Sequence, residues 1–363
     1  MPRKTYHDEL EEKNTRKLWD LEQNLPKFCK QFFRGVENTT SSRTKLAYAY
    51  DLQIFFQYIK DNNPKFQNIP IQEIPIEILD DLDVNDIEEY LDKLKVYEKD
   101  NRQHTNHEQG IMRKLSSLRS FYNYFYRSQK IATNPPSMIL TPKIHEKEII
   151  RLDPNEVSTL LDTVENGDNL SKGEQRFHSK TRVRDLAILT LLLGTGIRVS
   201  ECVGIDIDDI DFDNVGIRIR RKGGNEAIVY FGDEVAMALK DYLAERELIT
   251  PLEGHENALF LSIQKKRMTV RSIEKLVKKY ASKVTTLKKI TPHKLRSTYG
   301  TSLYQETNDI YLVADILGHK DINTTRKHYA AQMDENRRNA RNKVILREDL
   351  PSSTHSQKKK EHH

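Results

Sequence analysis

Apolar side chains recur at helical spacing through the first part of the chain. Steps of three and four residues place side chains on one face of an α-helix, whereas a strand needs alternation. Four such stripes occur: Leu21, Leu25, Phe28 and Phe32; Tyr48, Leu52, Phe55 and Ile59; Val84, Ile87, Leu91 and Leu94; and Ile111, Leu115, Leu118, Tyr122 and Phe125. They predict a helical bundle over residues 20–141. Residues 1–19 form a charged N-terminal arm, either mobile or an extension of the first helix.

A break separates this bundle from the rest of the chain. Asn134-Pro135-Pro136 ends the fourth stripe, because proline lacks a backbone N–H and restricts the residue before it. Residues 142–151 are polar and are expected to form a linker. An N-cap, a proline at the first helical position and a capping-box carboxylate then follow: Asp153, Pro154 and Glu156. A second domain is predicted over residues 152–346, followed by a polar, basic tail over 347–363 that we expect to be disordered.

The second domain mixes strand and helix patterns. Residues 203–231 carry short β-rich runs, and Lys222-Gly223-Gly224-Asn225 between two of them predicts a hairpin turn. Helices are predicted at 234–247 and 269–282, and the polar segment 166–181 is predicted to be an exposed loop. The fold class is therefore mainly α with a small β-sheet: a helical domain followed by a mixed α+β domain.

Composition excludes some classes of protein and some kinds of site. No apolar run approaches the roughly 18 residues of a membrane span, and the first residues lack the apolar core of a secretory signal. Cys29 and Cys202 are the only cysteines, which favours a reducing cytoplasm and argues against a structural zinc site or a disulfide framework. The net charge of +5 permits a local basic groove without proving that nucleic acid binds.

Four separated motifs in the second domain together suit attack on a phosphodiester. In chain order they are Thr195-Gly196-Ile197-Arg198-Val199-Ser200-Glu201, His293-Lys294-Leu295-Arg296, Leu317-Gly318-His319 and Tyr329. Each alone has an ordinary interpretation as a solvated helix face, a helix C-cap or a packed ring. Together they place guanidinium and imidazole groups near a tyrosine hydroxyl. Such cations stabilise the charge that builds on non-bridging phosphate oxygens.

These motifs, in this order, resemble the tyrosine recombinases, which comprise phage-type integrases, Xer-type resolvases and integrases of conjugative transposons. The resemblance covers roughly residues 20–345. It implies that the helical domain is a SAM-like core-binding domain that grips DNA, and that residues 152–346 form the catalytic domain. It also implies DNA cleavage and rejoining through a covalent 3′-phosphotyrosine and a Holliday junction, without ATP, metal or another cofactor.

The resemblance gives each matching residue an expected role. Tyr329 is the nucleophile, and Arg198 and Arg296 hold the non-bridging oxygens, since a planar guanidinium fork matches phosphate. His293 assists proton removal from the tyrosine, and His319 hydrogen-bonds the phosphate in the transition state.

The hairpin turn supplies a further candidate. In the family a lysine on this hairpin protonates the 5′-oxygen that leaves, and Lys222 matches it by its place before the glycines. Arg220 and Arg221 are neighbours that compete for this assignment. Glu201 is expected to support the site rather than to react.

The partners also follow from the resemblance. They are double-stranded DNA recombination sites, three further protomers in a tetramer on two sites, and accessory DNA-bending or directionality factors. The segment 334–346 is expected to dock on a neighbouring protomer. The protein is expected in the cytoplasm, associated with the nucleoid. Basic side chains of the helical domain are candidates for phosphate contact: Arg43, Lys45, Arg113, Lys114 and Arg119.

The chain departs from the family pattern after His319. Many relatives place the tyrosine nine residues after this histidine, where His328 lies here, whereas Tyr329 follows at ten. Ala330-Ala331 also replaces the frequent Thr-His, but neither change removes a functional group. Two other classes stay open: a type IB topoisomerase-like enzyme and a DNA-binding protein of this fold without activity.

Overall fold

The structure of the chain is a computed structural model that describes residues 5–99, 102–141, 150–221 and 223–319. It divides the chain into two compact units, one up to residue 147 and one from residue 148 onward. We call these the N-terminal unit and the C-terminal unit. Helices predominate in the described ranges and the strands form small sheets, which confirms the mainly α fold class.

The N-terminal unit is a bundle of helices with one small hairpin. Its helices are α1 (Tyr6–Glu22), α2 (Cys29–Gly35), α3 (Ser42–Asn62), α4 (Ile78–Asp81), α5 (Val84–Lys93), α6 (Glu108–Arg127) and α7 (Pro135–Met138), with a 3-10 turn at Ile71–Glu73. Strands β1 (Val96–Lys99) and β2 (Arg102–Thr105) pair in antiparallel fashion. The core is largely aromatic, and its fully buried rings include Phe32, Phe55, Phe56, Phe121 and Phe125.

Local capping signals set where two of these helices begin. The Ser41 hydroxyl accepts a hydrogen bond from the Thr44 backbone N–H at 3.3 Å, at the start of α3. Asp83 and Asp86 cap each other's backbone N–H groups at the start of α5, both at 2.9 Å. Such caps satisfy N–H groups that have no partner within the helix, so the boundary is encoded locally.

Three features of this unit differ from the sequence prediction. Residues 6–19, predicted as an arm, belong to α1, where Leu18 is buried; the structure has the helical alternative. The stripe from 21 to 32 is split between α1 and α2, because Pro26 lies between them and cannot donate the hydrogen bond of a continuous helix. The β1–β2 hairpin lacks an alternating apolar pattern, so sequence periodicity does not reveal it.

The C-terminal unit places a small sheet among longer helices. Its helices are α8 (Pro154–Asn166), α9 (Lys172–Thr195), α10 (Val199–Gly204), α11 (Asp233–Glu247), α12 (Val270–Val284), α13 (Pro292–Thr307) and α14 (Ile310–Leu317). Strands β3 (Ile210–Asp211), β4 (Gly216–Arg220) and β5 (Glu226–Tyr230) form an antiparallel sheet in that order. None of the helices in the described ranges is both long and apolar enough to cross a membrane.

The start of α8 agrees with the prediction, whereas the start of α9 does not. Asp153 and Glu156 form the expected capping box, with Pro154 in the first turn. The segment 166–181 is mostly helix rather than loop, because Ser171 caps α9 and the helix continues from there. His178 and Thr181 are buried in it, so this polar-looking segment has a packed face.

The predicted hairpin turn lies between β4 and β5. Arg220 pairs with Glu226 as the last register pair, and the Arg221 backbone N–H donates to Asn225 O at 2.7 Å. The strand region is shorter than predicted, because residues 207–209 form a 3-10 turn and pairing begins only at Ile210. The hairpin turn itself stands where the Lys-Gly-Gly-Asn sequence predicts it.

Candidate active site

Helices α9 and α14 of the C-terminal unit both end at glycines in the left-handed conformation. Gly196 follows α9 with φ of 62°, and Gly318 follows α14 with φ of 60°. A Cβ at Gly196 would lie 2.3 Å from the ring of Tyr299 and 3.0 Å from the side chain of Leu317. Both glycines are therefore needed for the turn. At Gly196 the close contacts also bring the end of α9, α13 and the end of α14 together.

Arg198, directly before α10, links the start of α10 to the end of α14. Its guanidinium donates to Glu201 Oε1 at 2.8 Å and to Gly318 O at 3.2 Å. Glu201 also accepts from the Arg198 backbone N–H at 2.7 Å. The Glu201 side chain is 3% exposed and that of Arg198 is 33% exposed. Glu201 thus holds the arginine from the buried side and leaves part of the guanidinium open to solvent.

Arg296, on α13, contacts the ends of α9 and α14 from the interior of the unit. It is 5% exposed, and one of its terminal nitrogens donates to Gly196 O at 2.7 Å. The other donates to Leu317 O. Arg296 and Arg198 therefore donate to the consecutive carbonyls of Leu317 and Gly318.

The two histidines occupy different environments. His293 lies in the first turn of α13, one turn before Arg296, and is exposed. His319 directly follows Gly318 and is half-buried, and its backbone N–H donates to Ala314 O at 2.9 Å. The structure therefore places His319 at the turn that both arginines contact, and His293 at the solvent-facing start of the helix that carries Arg296.

A third arginine contacts the end of α14 from the β4–β5 hairpin. The Arg221 guanidinium donates to Asp315 O at 3.3 Å and to Ile316 O at 3.1 Å. The sequence prediction treats Arg221 only as a competitor of Lys222. In the sequence, only the place of Arg221 directly before Lys-Gly-Gly sets this residue apart. That place does not reveal the contact of Arg221 with α14.

These contacts surround the C-terminal end of α14 with positively charged side chains. The last carbonyls of a helix carry partial negative charge and attract cations. Here Arg198, Arg221 and Arg296 supply three guanidinium groups to four successive residues, 315–318. The exposed part of Arg198 is therefore held in place by the bonds of its guanidinium to Glu201 and Gly318 O.

Cys202 is not a competing nucleophile. It is fully buried on α10, and burial, then the charge of neighbouring Glu201, raises the pKa of its thiol to about 12. Only the thiolate is strongly nucleophilic, so this thiol is unreactive near neutral pH.

Two predicted catalytic residues, Lys222 and Tyr329, lie outside the described residues, as do His328 and the segment 334–346. Their roles stay predictions. Within the described ranges, no group of three or more His, Cys, Asp or Glu side chains is arranged to hold a metal ion.

Two of the basic candidates in the N-terminal unit are buried. Lys45 is 2% exposed, and its ammonium group donates to Glu37 at 2.6 Å. Lys114 is 4% exposed, donates to Asn106 Oδ1 at 3.1 Å and lies over the ring of Tyr97. Phosphate contact by these two lysines stays a prediction, and their burial argues against it. Helical spacing does not reveal which face of a helix is packed.

The three arginines of that set remain nearer to solvent. Arg43 is exposed in the first turn of α3. Arg113 is 50% exposed, although it forms a two-point ion pair with buried Asp51. Arg119 is half-buried and donates to Pro136 O within α7 and to Ile139 O directly after it, so it is part of the fold as well as a candidate.

The sequence profile of the phage integrase family matches residues 150–336. A tyrosine recombinase XerC of Caldanaerobacter subterraneus subsp. tengcongensis is 34% identical over 320 residues, which is 85% of this chain and 83% of that relative. XerC of Thermodesulfovibrio yellowstonii is 32% identical over 294 residues, covering 80% of this chain and 86% of the relative.

Solved structures share the fold. The XerH site-specific recombinase bound to palindromic difH substrate has a TM-score of 0.61 at 20% identity, covering 83% of this chain and 80% of XerH. The Tn1549 transposon integrase in complex with circular intermediate DNA also has a TM-score of 0.61, at 23% identity, covering 86% of this chain and 99% of the integrase chain.

The family profile and the XerC relatives define the class of protein as the site-specific DNA recombinases. The chain belongs to the phage integrase family of tyrosine recombinases, as its motifs indicate. Family membership confirms the predicted fold class and the predicted activity of site-specific strand breakage and rejoining.

Proposed function

We propose that the chain exchanges strands between double-stranded DNA sites with Tyr329 as the nucleophile. The tyrosine oxygen forms a bond to phosphorus while the bond to the 5′-oxygen breaks, which gives a 3′-phosphotyrosine and a free 5′-hydroxyl. The 5′-hydroxyl of a partner strand then attacks the phosphotyrosine, releases the tyrosine and produces a Holliday junction. The phosphotyrosine conserves the bond energy, so the exchange needs no ATP.

The observation that carries this proposal is the meeting of Arg198 and Arg296 at one turn. Arg198 donates to Gly318 O and Arg296 donates to Leu317 O, next to His319 in the chain. Guanidinium groups fixed in this way are suited to the non-bridging oxygens of the phosphate under attack. The exposed part of Arg198 is the first to contact the phosphate, and buried Arg296 stabilises the ends of α9 and α14 that form the site.

We assign proton transfer to His293 and Lys222. His293 assists removal of the proton from Tyr329, whose hydroxyl has an ordinary pKa of about 10. His319 hydrogen-bonds the phosphate, and Lys222 protonates the 5′-oxygen as it leaves. Buried Glu201 holds Arg198 in place and does not react.

The N-terminal unit is proposed as the core-binding domain that grips DNA. The XerH and Tn1549 integrase structures hold DNA, and both share this chain's fold. Among the proposed phosphate contacts in the described residues, Arg43 and Arg113 are exposed and Arg119 is half-buried. Contacts of this kind position the protein without reading the DNA sequence.

The working assembly is proposed to be a tetramer on two DNA sites, because exchange of two duplexes requires four cleavages. The segment 334–346 docks on a neighbouring protomer, and accessory DNA-bending or directionality factors take part. The reaction takes place in the cytoplasm, on DNA of the nucleoid.

Two assays on the same protein test the proposal. Candidate sites are taken from DNA flanking the gene and placed on two plasmids, and recombination is measured together with relaxation of supercoils. Recombinant plasmids that form without added ATP support the proposal. Relaxation without recombinants would instead indicate a topoisomerase-like enzyme, and binding without either product an inactive DNA-binding protein.

A further inference from the structure

The turn between β4 and β5 is fastened at its base. The backbone N–H of Arg221 donates to Asn225 O at 2.7 Å, and Gly224 N–H donates to Arg221 O at 3.1 Å. Both bonds belong to Arg221, so this residue closes the turn that contains position 222.

The glycines in the middle of the same turn have no side chains that could pack against other elements. Gly223 and Gly224 have φ of 96° and 84°, and a Cβ at Gly223 would meet no atom within 4 Å. Glycine also leaves the backbone the widest conformational freedom. The location of the turn therefore depends on contacts made by its flanking residues.

The Arg221 side chain provides such a contact. Its two terminal nitrogens donate to Asp315 O and Ile316 O, which belong to the last turn of α14. A Cβ at Gly318 would lie only 2.2 Å from Arg221 Nη1. The guanidinium therefore lies directly against the glycine that precedes His319.

We propose that Arg221 is a positioning residue that holds the hairpin turn against the C-terminal end of α14. Through its guanidinium it ties the turn to the element that Arg198 and Arg296 also contact, and the proton transfer assigned to Lys222 depends on this tie. This inference rests on the proposed function of Lys222 as general acid. Arg221 itself need not touch the DNA.

The contact matters because a general acid must lie within hydrogen-bond reach of the oxygen that it protonates. Loss of the guanidinium leaves a glycine-rich turn without its tie to α14, so the proton transfer assigned to Lys222 should become less efficient. The non-bridging oxygens keep their own arginines. The defect is thus confined to departure of the 5′-oxygen.

The experiment measures single-turnover formation of the covalent complex on two DNA substrates. One has the normal bridging 5′-oxygen, and the other has sulfur there, which leaves without needing a proton. Arg221→Ala is expected to slow cleavage of the oxygen substrate by about tenfold to a hundredfold, the cost of small misplacements in an active site. Sulfur should restore most of the rate, as it should for Lys222→Ala. The double variant should be no slower than Lys222→Ala alone.

Matched variants on the same hairpin serve as controls. Arg218→Ala removes an exposed arginine that pairs with Asp209 at 2.9 Å and is expected to cleave at nearly the normal rate. Arg221→Lys keeps the charge but loses the planar two-point fork, so an intermediate defect, also relieved by sulfur, is expected.

Three results would overturn the proposal. Arg221→Ala at the full rate would show that the tie is dispensable. An equal defect on both substrates would show that Arg221 acts through α14 and His319 instead. A Lys222→Ala defect that sulfur does not relieve would remove the general acid, and with it the proposed role of Lys222 as well as this inference.

Discussion

Arg198 and Arg296 contact adjacent carbonyls but differ in burial, so their loss has different consequences. Arg296 is 5% exposed and satisfies Gly196 O and Leu317 O, whereas the Arg198 side chain is 33% exposed. A buried acceptor left without a donor costs about 1–3 kcal/mol. Arg296 is therefore both a structural residue and a candidate phosphate ligand.

Arg296→Ala should lower both stability and activity. We expect the free energy of unfolding to fall by about 1–3 kcal/mol for lost backbone partners, and cleavage to slow by about 10²–10³ for a lost phosphate donor. Urea unfolding and single-turnover cleavage measure the two effects. Arg198→Ala is the comparison, and it should slow cleavage similarly with a smaller loss of stability. Equal stability losses would contradict this division.

Tyr329→Phe should abolish the covalent adduct and leave DNA binding intact, because only the hydroxyl is lost. Denaturing gels detect the adduct, and gel shifts detect binding. His328→Ala and Tyr299→Phe are the controls. Tyr299 packs against Gly196, and burial raises the pKa of its hydroxyl, which makes it a poor nucleophile. An adduct that persists in Tyr329→Phe would assign the nucleophile to another residue.

At the scale of elements, the long helix α9 ends two residues before Ile197-Arg198, and the carboxylate of Glu174 stabilises its first turn. Glu174 accepts from the Ser171 backbone N–H at 2.8 Å and from Lys283 of α12 at 3.0 Å. These bonds, the first above all, lower the pKa of Glu174 from 4.5 to about 2. The ionised carboxylate therefore stabilises the folded state.

The sign of the pH effect follows from the direction of that shift. A carboxyl with a depressed folded pKa adds stability above its unfolded pKa, and this stability is lost as pH falls through the folded value. For Glu174 the window runs from near pH 4.5 down to about 2. Glu174→Gln should remove this contribution, about 0.3–1 kcal/mol for a charge at a helix start. Urea unfolding as a function of pH measures it.

The matched control is Glu165→Gln, at an exposed position of α8. Glu174→Gln should change the acid-range slope of unfolding more than Glu165→Gln does. A Glu174→Gln protein with the same acid-range slope as the parent chain would contradict the role given to Glu174.

At the scale of the whole molecule, recombination requires protomers to act together, whereas binding to one site does not. The segment after Ala331 contains an apolar group, Val344-Ile345-Leu346, within an otherwise charged sequence. Deletion of residues after Ala331 should therefore preserve single-site binding and lower recombination. Gel shifts and the two-plasmid assay distinguish the effects. A truncated protein that recombines at the full rate would exclude docking on a neighbour.

Much of the element map could be predicted because its signals are local. Caps at Ser41, Asp83 and Asp153, and the glycine-rich turn at 222–225, act on backbone groups within a few residues of themselves. The order of the arginine, histidine and glycine motifs likewise identifies the family without any knowledge of contacts. Polar composition failed at 166–181, where a capped helix with a packed face looked like a loop.

The sequence by itself therefore determined the family, the mainly α class and which residues are candidates for the site. Tertiary structure alone decided which cations are buried, as at Lys45 and Lys114, and which converge on α14. Arg198 meets Gly318 across 120 positions and Arg221 meets Ile316 across 95. Contacts at such separations depend on how helices and the hairpin pack. Spacing along the chain encodes only the local periodicity of each element.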